Sequence, residues 1–593
     1  MNTTQSSPGD QAEQGTRIVR VGLGLAVLLI AVYAGLFIRV AVLKIHPDPR
    51  LNGAAGAPFA TRPELARRGD LVDREGRIIA TSRIGYRLFV DPKEVQDLTT
   101  IAVDLAHLIG GDPAAYDRTI LDRADSRYVV ISHLLNDEQV EVVRQAGLRG
   151  VGLEPRLVRE YSNEGVGSLV VGMVGFEHTG LAGMEHRFNR RMIPEDGRLT
   201  YLKDARGQPL WIEPAGIRPR NDGESVRLSI DLTIQDIAER RLRQAVEQYN
   251  AGGGRMVVLD PATGEILAMC DILRKRPGWK EVTTDPAREI HPSLGRNRCA
   301  TDPYEPGSTF KPFIWAVATE HGRARLDEVL PTPSGAPYVT SRGRRIRDAH
   351  YYGPSTWEKV LVKSMNSGMA IVGERMTEKE MQEAVRSFGF GRKTGAGLPG
   401  ESIGIVTTPR NWGHYTQTSV AYGHEISVTP LQMVQAFAAF ACDGMIPELR
   451  LTAVNDDELR APLLRAPIKP ETARLTRRIM GKVMTDGTGR ESQSTRYTLF
   501  GKSGTAQLPR KKEDGGGYYE DRYVSSFIAG APLEQPRLVV LCVIDDPDRS
   551  RGHYGGVVAG PAVRDVMDEA LAYLGVPPDK PQDGRPDRLA ARP

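Results

Sequence analysis

The chain has 593 residues, of which 40% are apolar and 26% charged, and a net charge of +4. That is an ordinary globular balance, long enough for two or three domains with sizeable cores. No long basic run interleaves with aromatics, so nucleic acid is excluded as an expected partner, and clusters such as RGRRIR at 342–347 read as solvated loops. The four cysteines (Cys270, Cys299, Cys442, Cys542) show neither metal-ligand spacing nor the density of a disulfide framework. They read as small buried residues in strands and helices.

Residues 1–16 are polar and are expected to be disordered. The run VGLGLAVLLIAVYAGLFI, Val21 to Ile38, carries no charge. As a helix it spans ~27 Å, close to the hydrocarbon thickness of a bilayer. A cleaved leader is the competing reading. The run is longer than a usual leader core and basic residues follow it closely, which favours a retained anchor spanning 21–43. A cytoplasmic tail of 1–20 would precede it, with the large carboxyl-terminal part outside the cytoplasm. LNGAAGAPFATRPELA then reads as a flexible exit segment, and RRGDLVDREGRIIATS as a hairpin around Asp73–Gly76. Residues from about 85 to 220 mix strands and short helices without a catalytic signature, as a docking or spacer module would.

A boundary falls near IRPRNDGESVRLSID. Beyond it, helical periodicity runs from Leu232 to Tyr249. RMVVLDPATGEILAMC is a strand, a turn and a strand. In VTPLQMVQAFAAFACDG, Thr429 can cap a helix, Pro430 suits its first position, Gln432 completes a capping box and Gly444 offers a stop. This helix is apolar nearly all round, so it should be buried. RYVSSFIAGAPLEQPRLVVLCVIDD reads as an antiparallel pair, PAVRDVMDEALAYLG as a closing helix, and residues 577–593 as a disordered tail.

Three short boxes carry chemistry. YEPGSTFKPF places Ser308 and Lys311 one turn apart at the start of a helix that continues to Gly322. A helix start favours a developing alkoxide, and a serine hydroxyl needs a neighbouring base. Lysine can be that base only if burial and nearby positive charge lower its pKa, and Lys502 is the expected source of that charge. VKSMNSGMA holds Ser364 and Asn366, a hydroxyl that can relay a proton and an amide that can hold a substrate peptide. The third box needs a lysine for a substrate carboxylate, a hydroxyl beside it and an exposed strand N–H. Two segments compete for it. Lys393-Thr394-Gly395 lies among glycines and a proline, only 27 residues past Asn366 and beyond an expected helix at EKEMQEAVRSFG, which argues for an irregular loop. Lys502-Ser503-Gly504-Thr505 follows β-favouring residues, and Gly504 is expected to allow close substrate approach. It is the segment expected to line the site.

In this order the boxes resemble those of class B penicillin-binding proteins, the monofunctional peptidoglycan D,D-transpeptidases. RGDLVDREGRIIA and VREYSNEG…GLAGMEHRFN resemble that family's amino-terminal pedestal boxes, and TGAGLPGE resembles a family segment outside the catalytic centre. The short pedestal, YVSSFIAGAP and YGGVVAGPAV are most similar to the division-specific septal subgroup, and no carboxyl-terminal PASTA repeats follow. The resemblance implies an α+β transpeptidase fold, an antiparallel sheet flanked by helices with a helical subdomain, over residues 223–576. It implies a pedestal, dimerisation-like domain over 44–222.

Carried onto this chain, Ser308 would be the acylated nucleophile, Lys311 the general base, Ser364 the proton shuttle and Asn366 the donor-positioning amide. Lys502, Ser503, Gly504 and Thr505 would form the carboxylate-binding strand. The backbone N–H groups of Ser308 and Thr505 would form the oxyanion hole, and Met365 would shape the cleft. The implied mechanism is two acyl transfers that need no metal or organic cofactor, and the implied partners are peptidoglycan stem peptides, penicillin and other β-lactams, a polytopic peptidoglycan glycosyltransferase and other division proteins. An elongation-specific relative shares these features. A membrane-anchored β-lactam sensor or an idle assembly scaffold is the rival of another class, disfavoured by the pedestal boxes and the intact catalytic boxes.

Overall fold

The structure, a computed structural model, describes residues 8–45, 59–162, 166–175, 178–204, 209–274, 296–454, 462–510 and 515–581. The chain divides into two compact units, Met1–Leu65 with Asp196–Asn221, and Ala66–Glu195 with Asp222–Pro593. Residues of the expected 44–222 segment fall in both.

In the first unit a single helix runs from Pro8 to Ile45. Its Val19–Ile45 portion is long and apolar enough to cross a membrane, with mean hydropathy 2.6. The expectation of disorder before residue 17 is corrected for 8–16, which are helical. Pro8 suits a first turn, and Ala, Gln and Glu are good helix formers. The exit segment is corrected too. Phe59–Glu64 is a strand, paired antiparallel with Gly197–Lys203, which also pairs with Pro209–Arg218. An edge position tolerates its Pro63, and the partner that satisfies its backbone lies too far along the chain to leave a local signal. The rest of that segment, and the expected tail beyond residue 581, lie outside the described residues.

In the second unit the expected hairpin forms: Leu71–Val72 pairs antiparallel with the start of the long strand Ile78–Val90. The Asp73 carboxylate accepts the Glu75 and Arg77 N–H groups inside the turn, and Gly76 has φ +83°. Three distant segments converge on one buried carboxylate. Glu185 lies between Arg68 (Nε–Oε2 2.7 Å) and Arg159 (Nε–Oε1 2.8 Å), all three side chains buried. Arg68 also donates to the Glu185 and His178 carbonyls, and Arg159 to Ser82 Oγ. The first pedestal box therefore contributes Arg68, and the later boxes Arg159 and Glu185.

The remainder is built on a five-stranded antiparallel sheet. Helix α1 (Leu232–Gln248) precedes β1 (Gly253–Leu259) and β2 (Ile266–Leu273). Then come α2 (Lys311–Glu320), α3 (Trp357–Val362), α4 (Asn366–Gly373), α5 (Pro430–Ala441) and α6 (Pro470–Asp486). Strands β3 (Phe500–Pro509), β4 (Tyr518–Ala531) and β5 (Leu538–Asp545) and helix α7 (Gly560–Tyr573) follow. The sheet order is β2-β1-β5-β4-β3, so β3 is an edge.

Alternate strand residues feed two cores. Met256, Val258, Val540 and Ile544 pack with α1 and α7, whereas Val257, Leu259, Leu541 and Val543 pack with α2 and α5. Burial on both faces explains why these strands read as continuous apolar runs. Helix α5 has the expected cap, with Thr429 and Gln432 reciprocally bonded, and Gly444, at φ +90°, closes its end on the Ala439 carbonyl. Arg344, from the basic cluster expected to be solvated, instead stacks over Tyr415 and Tyr422.

Candidate active site

Ser308 lies on a 3-10 turn, Gly307–Phe310, that passes directly into α2, whose first residue is Lys311. The expected α-helical start is thus tighter: the Lys311 N–H donates to the Ser308 carbonyl, the i to i+3 bond of a 3-10 turn. Pro312 at the second position of α2 suits a first turn. Gly307, at φ +53°, supplies a left-handed backbone that a side chain would resist.

Lys311 is fully buried, and its ammonium nitrogen is held on three sides. Nζ donates to the Ser364 carbonyl at 2.6 Å and to Asn366 Oδ1 at 2.7 Å, and lies 3.2 Å from Ser364 Oγ. Burial lowers its pKa to about 7, against the opposing pull of Asp348. A neutral amine has two N–H bonds. The two carbonyl oxygens consume both, leaving the lone pair free to take a hydroxyl proton.

Ser364 ends the turn after α3 with φ +59°, an uncommon conformation for a side-chain-bearing residue. That strain fits a residue whose oxygen serves two lysines: Lys502 Nζ donates to the same Oγ at 2.8 Å. Lys502 is also fully buried, and its pKa falls well below the ordinary value, first through burial and then through the neighbouring Lys311 charge. Burial, the first of the two causes expected for Lys311, is the one that acts; the Lys502 charge, expected as the second, is not among the causes of its shift, and that part is corrected. Asn366 Nδ2 donates to the Arg347 carbonyl at 3.0 Å. Met365 is corrected as a cleft-shaping residue, since its side chain is buried in the core.

Asp348 was not singled out by sequence. Its carboxylate accepts the N–H groups of Asn366 (2.5 Å) and Ser367 (3.0 Å) and the Ser367 hydroxyl. It caps α4 from 18 residues upstream, so no local capping pattern marks it.

Edge strand β3 forms the other wall. Ser503 Oγ donates to Thr488 Oγ1 at 2.7 Å, and Thr505 Oγ1 accepts the Gly555 N–H at 3.0 Å. Packing also calls for glycine at 504. A Cβ there would lie 2.5 Å from Ser526 Oγ, 2.7 Å from the Pro306 carbonyl and 2.9 Å from Thr309 Cγ2. What approaches Gly504 is the turn that bears Ser308, together with Ser526 of β4.

Ser308, Ser364, Asn366, Ser503 and Thr505 line one cleft of about 500 Å³, and both lysines reach it through Ser364. Sequence reasoning missed Thr488, Tyr523, His553 and Tyr554 on its walls. The YGG triplet at 554–556, noted only for its resemblance, was the available signal for the last of these. Lys393 lies elsewhere, exposed in an irregular loop, while Thr394 donates its backbone N–H to Glu401 at 2.6 Å.

A hydroxyl at a helix start, a buried lysine poised near neutrality and an edge strand with hydroxyls define a serine acyl transferase. The chain belongs to the class B penicillin-binding proteins. The family model described as the penicillin-binding protein transpeptidase domain matches residues 254–568, and that of the penicillin-binding protein dimerisation domain matches 63–228. The chain is 31% identical over 576 residues to "Probable peptidoglycan D,D-transpeptidase PenA" of Neisseria gonorrhoeae, covering 95% of this chain and 94% of the relative. It is 28% identical to "Peptidoglycan D,D-transpeptidase FtsI" of Escherichia coli, covering 91% and 90%. Among solved structures it is similar to penicillin-binding protein 3 of Mycobacterium tuberculosis complexed with aztreonam, with TM-score 0.64 and 26% identity over 88% of this chain and 99% of that one.

Proposed function

We propose that this enzyme crosslinks peptidoglycan stem peptides by two acyl transfers through Ser308, and that β-lactams acylate the same serine. The observation that carries the reading is Ser364 Oγ within hydrogen-bonding distance of both Lys311 and Lys502 Nζ. Neutral Lys311 takes the Ser308 proton as Oγ attacks the D-alanyl-D-alanine carbonyl. The resulting oxyanion is held by the Ser308 and Thr505 N–H groups. The proton then passes by way of Ser364 to the departing D-alanine nitrogen, leaving an ester on Ser308. An amine from a second stem attacks that ester, its proton returns through Lys311, and Ser308 is released with a new amide formed. The terminal carboxylate of the donor binds Lys502, Ser503 and Thr505, supplying the countercharge that a buried Lys502 ammonium otherwise lacks. Asn366 positions the donor peptide.

The anchor reading of residues 21–43 is supported by the exposed apolar span Val19–Ile45, with 1–20 cytoplasmic and the catalytic part on the far side of the membrane. Residues 44–222 act as the pedestal, 223–576 as the transpeptidase domain and 577–593 as a tail. The septal role rests on the resemblance of YVSSFIAGAP and YGGVVAGPAV, and with it a polytopic glycosyltransferase and division proteins as partners. Labelling with a fluorescent penicillin tests the chemistry: Ser308→Ala should abolish it, and persistent labelling would refute the nucleophile. Lys502→Ala should abolish acylation while Lys393→Ala spares it, and the reverse pattern would exchange the two boxes. Depletion tests the role: filamentous cells support septal work, and rounded cells would sink it.

A further inference from the structure

Glu305 stands three residues before Ser308, and the reaction as described does not use it. Its side chain is only 11% exposed. Oε1 accepts the Tyr518 hydroxyl at 3.0 Å and the Glu425 N–H at 3.1 Å, and Oε2 lies 3.3 Å from His424 Nδ1. One contact of Oε1 leads to a segment packed on the turn of Ser308, the other to the hairpin whose strand β3 lines the cleft.

On one side is the segment from Gly423 to Val428, which runs against the nucleophile's turn. Tyr304 exchanges both backbone bonds with Val428 at 2.9 Å, and the Gly307 N–H donates to the Gly423 carbonyl at 3.0 Å. A Cβ on Gly423 would lie 2.0 Å from the Gly307 carbonyl oxygen, so the two backbones are in contact. Glu425, which meets Glu305 through its N–H, is itself at φ +57° and is held by the Ser419 and Thr416 hydroxyls. The other side is the β3–β4 hairpin. Tyr518 opens β4, opposite Pro509 at the end of β3, and Arg510 closes the hairpin on the Gly517 and Tyr518 carbonyls. Burial and the Glu305 charge push the Tyr518 phenol up, so it remains a donor. Arg344, 3.6 Å from Glu425 Oε1, is the cation facing this group.

We propose that Glu305 is a positioning residue that ties the β3–β4 hairpin to the turn bearing Ser308, and so sets the separation between nucleophile and carboxylate-binding strand. The inference rests on Ser308 as nucleophile and β3 as the substrate strand. Misplacement of reacting atoms lowers the chemical step more than ground-state binding. The distinguishing readout is therefore the split between the affinity of the pre-acylation complex and the acylation rate constant, measured by stopped flow with a chromogenic cephalosporin on the full chain.

Tyr518→Phe removes one hydroxyl and leaves the fold's packing. It should lower the acylation rate constant by roughly tenfold, the scale of one hydrogen bond to a charged group, with affinity little changed. Glu305→Ala should lose at least as much, Glu305→Gln should recover most of it, and Glu305→Ala combined with Tyr518→Phe should be no slower than Glu305→Ala alone. A wild-type rate constant in Tyr518→Phe, multiplicative losses in the double variant, or a loss confined to affinity would overturn the proposal. Ser308→Ala, run in parallel, separates the two claims. If it still acylates, the reading of the site fails. If it is inert while Tyr518→Phe is unaffected, only the role of Glu305 fails.

Discussion

Replacing Gly504 by alanine should cripple acylation while leaving the fold nearly intact. The new methyl would sit 2.5 Å from Ser526 Oγ, 2.7 Å from the Pro306 carbonyl and 2.9 Å from Thr309 Cγ2. Ser526 Oγ is the end of a rotatable side chain and can turn away. The Pro306 carbonyl cannot, because it accepts the Thr309 hydroxyl at 2.7 Å and belongs to the turn that carries Ser308. Relieving a carbon–oxygen contact of that length requires the turn and β3 to part by about half an ångström or more, at an overpacking cost of about 1–3 kcal/mol. That is a modest loss for a domain of this size. For reacting groups the same displacement matters more: an error of about 1 Å in placement can cost roughly 100-fold in rate. Gly504→Ala should therefore fall tens- to hundredfold, on the order of that limit, in the second-order rate of fluorescent penicillin acylation, with a melting temperature within a few degrees of wild type. Gly335→Ala, where a Cβ meets nothing within 4 Å, should change neither. A wild-type acylation rate in Gly504→Ala would refute the packing argument.

Because burial lowers the Lys311 pKa to about 7, the neutral base is lost as pH falls through that value. The acylation rate should be near its plateau at pH 8 and fall roughly tenfold per unit below pH 6; a flat profile from pH 5.5 to 8.5 would exclude Lys311 as base. Ser364→Ala removes the oxygen shared by Lys311 and Lys502 and should slow acylation by roughly 10²–10⁴, the usual range for a lost proton-transfer group; a loss under fivefold would remove Ser364 from the relay. Glu185→Gln leaves Arg68 and Arg159 buried without their common carboxylate. It should destabilise the surrounding pedestal by about 3–5 kcal/mol, seen as faster limited proteolysis within residues 66–195, and unchanged proteolysis would show that the triad contributes little.

What was legible in the sequence was what leaves a local pattern. Thr429, Pro430 and Gln432 announce the start of α5, and the structure has that capping box. The β-favouring lead-in to Lys502 marks a strand, and the glycines around Lys393 mark a loop; the structure has both. Contacts made across long stretches of chain leave no such pattern. Asp348 caps α4 from 18 residues away, and Phe59–Glu64 finds its strand partner at Gly197–Lys203. Arg68, Arg159 and Glu185 stand in three separate boxes and meet only in the folded chain. Gly504 was recognisable as a residue that must be small, but which neighbour presses on it is a property of the packed turn.

The most direct test is intact-protein and peptide mass spectrometry after brief exposure to benzylpenicillin. One adduct per chain, on the peptide containing Ser308 and absent in Ser308→Ala, is the predicted result. An adduct on any other residue, or none at all in a folded protein, would contradict the assignment of Ser308 as the acylated nucleophile.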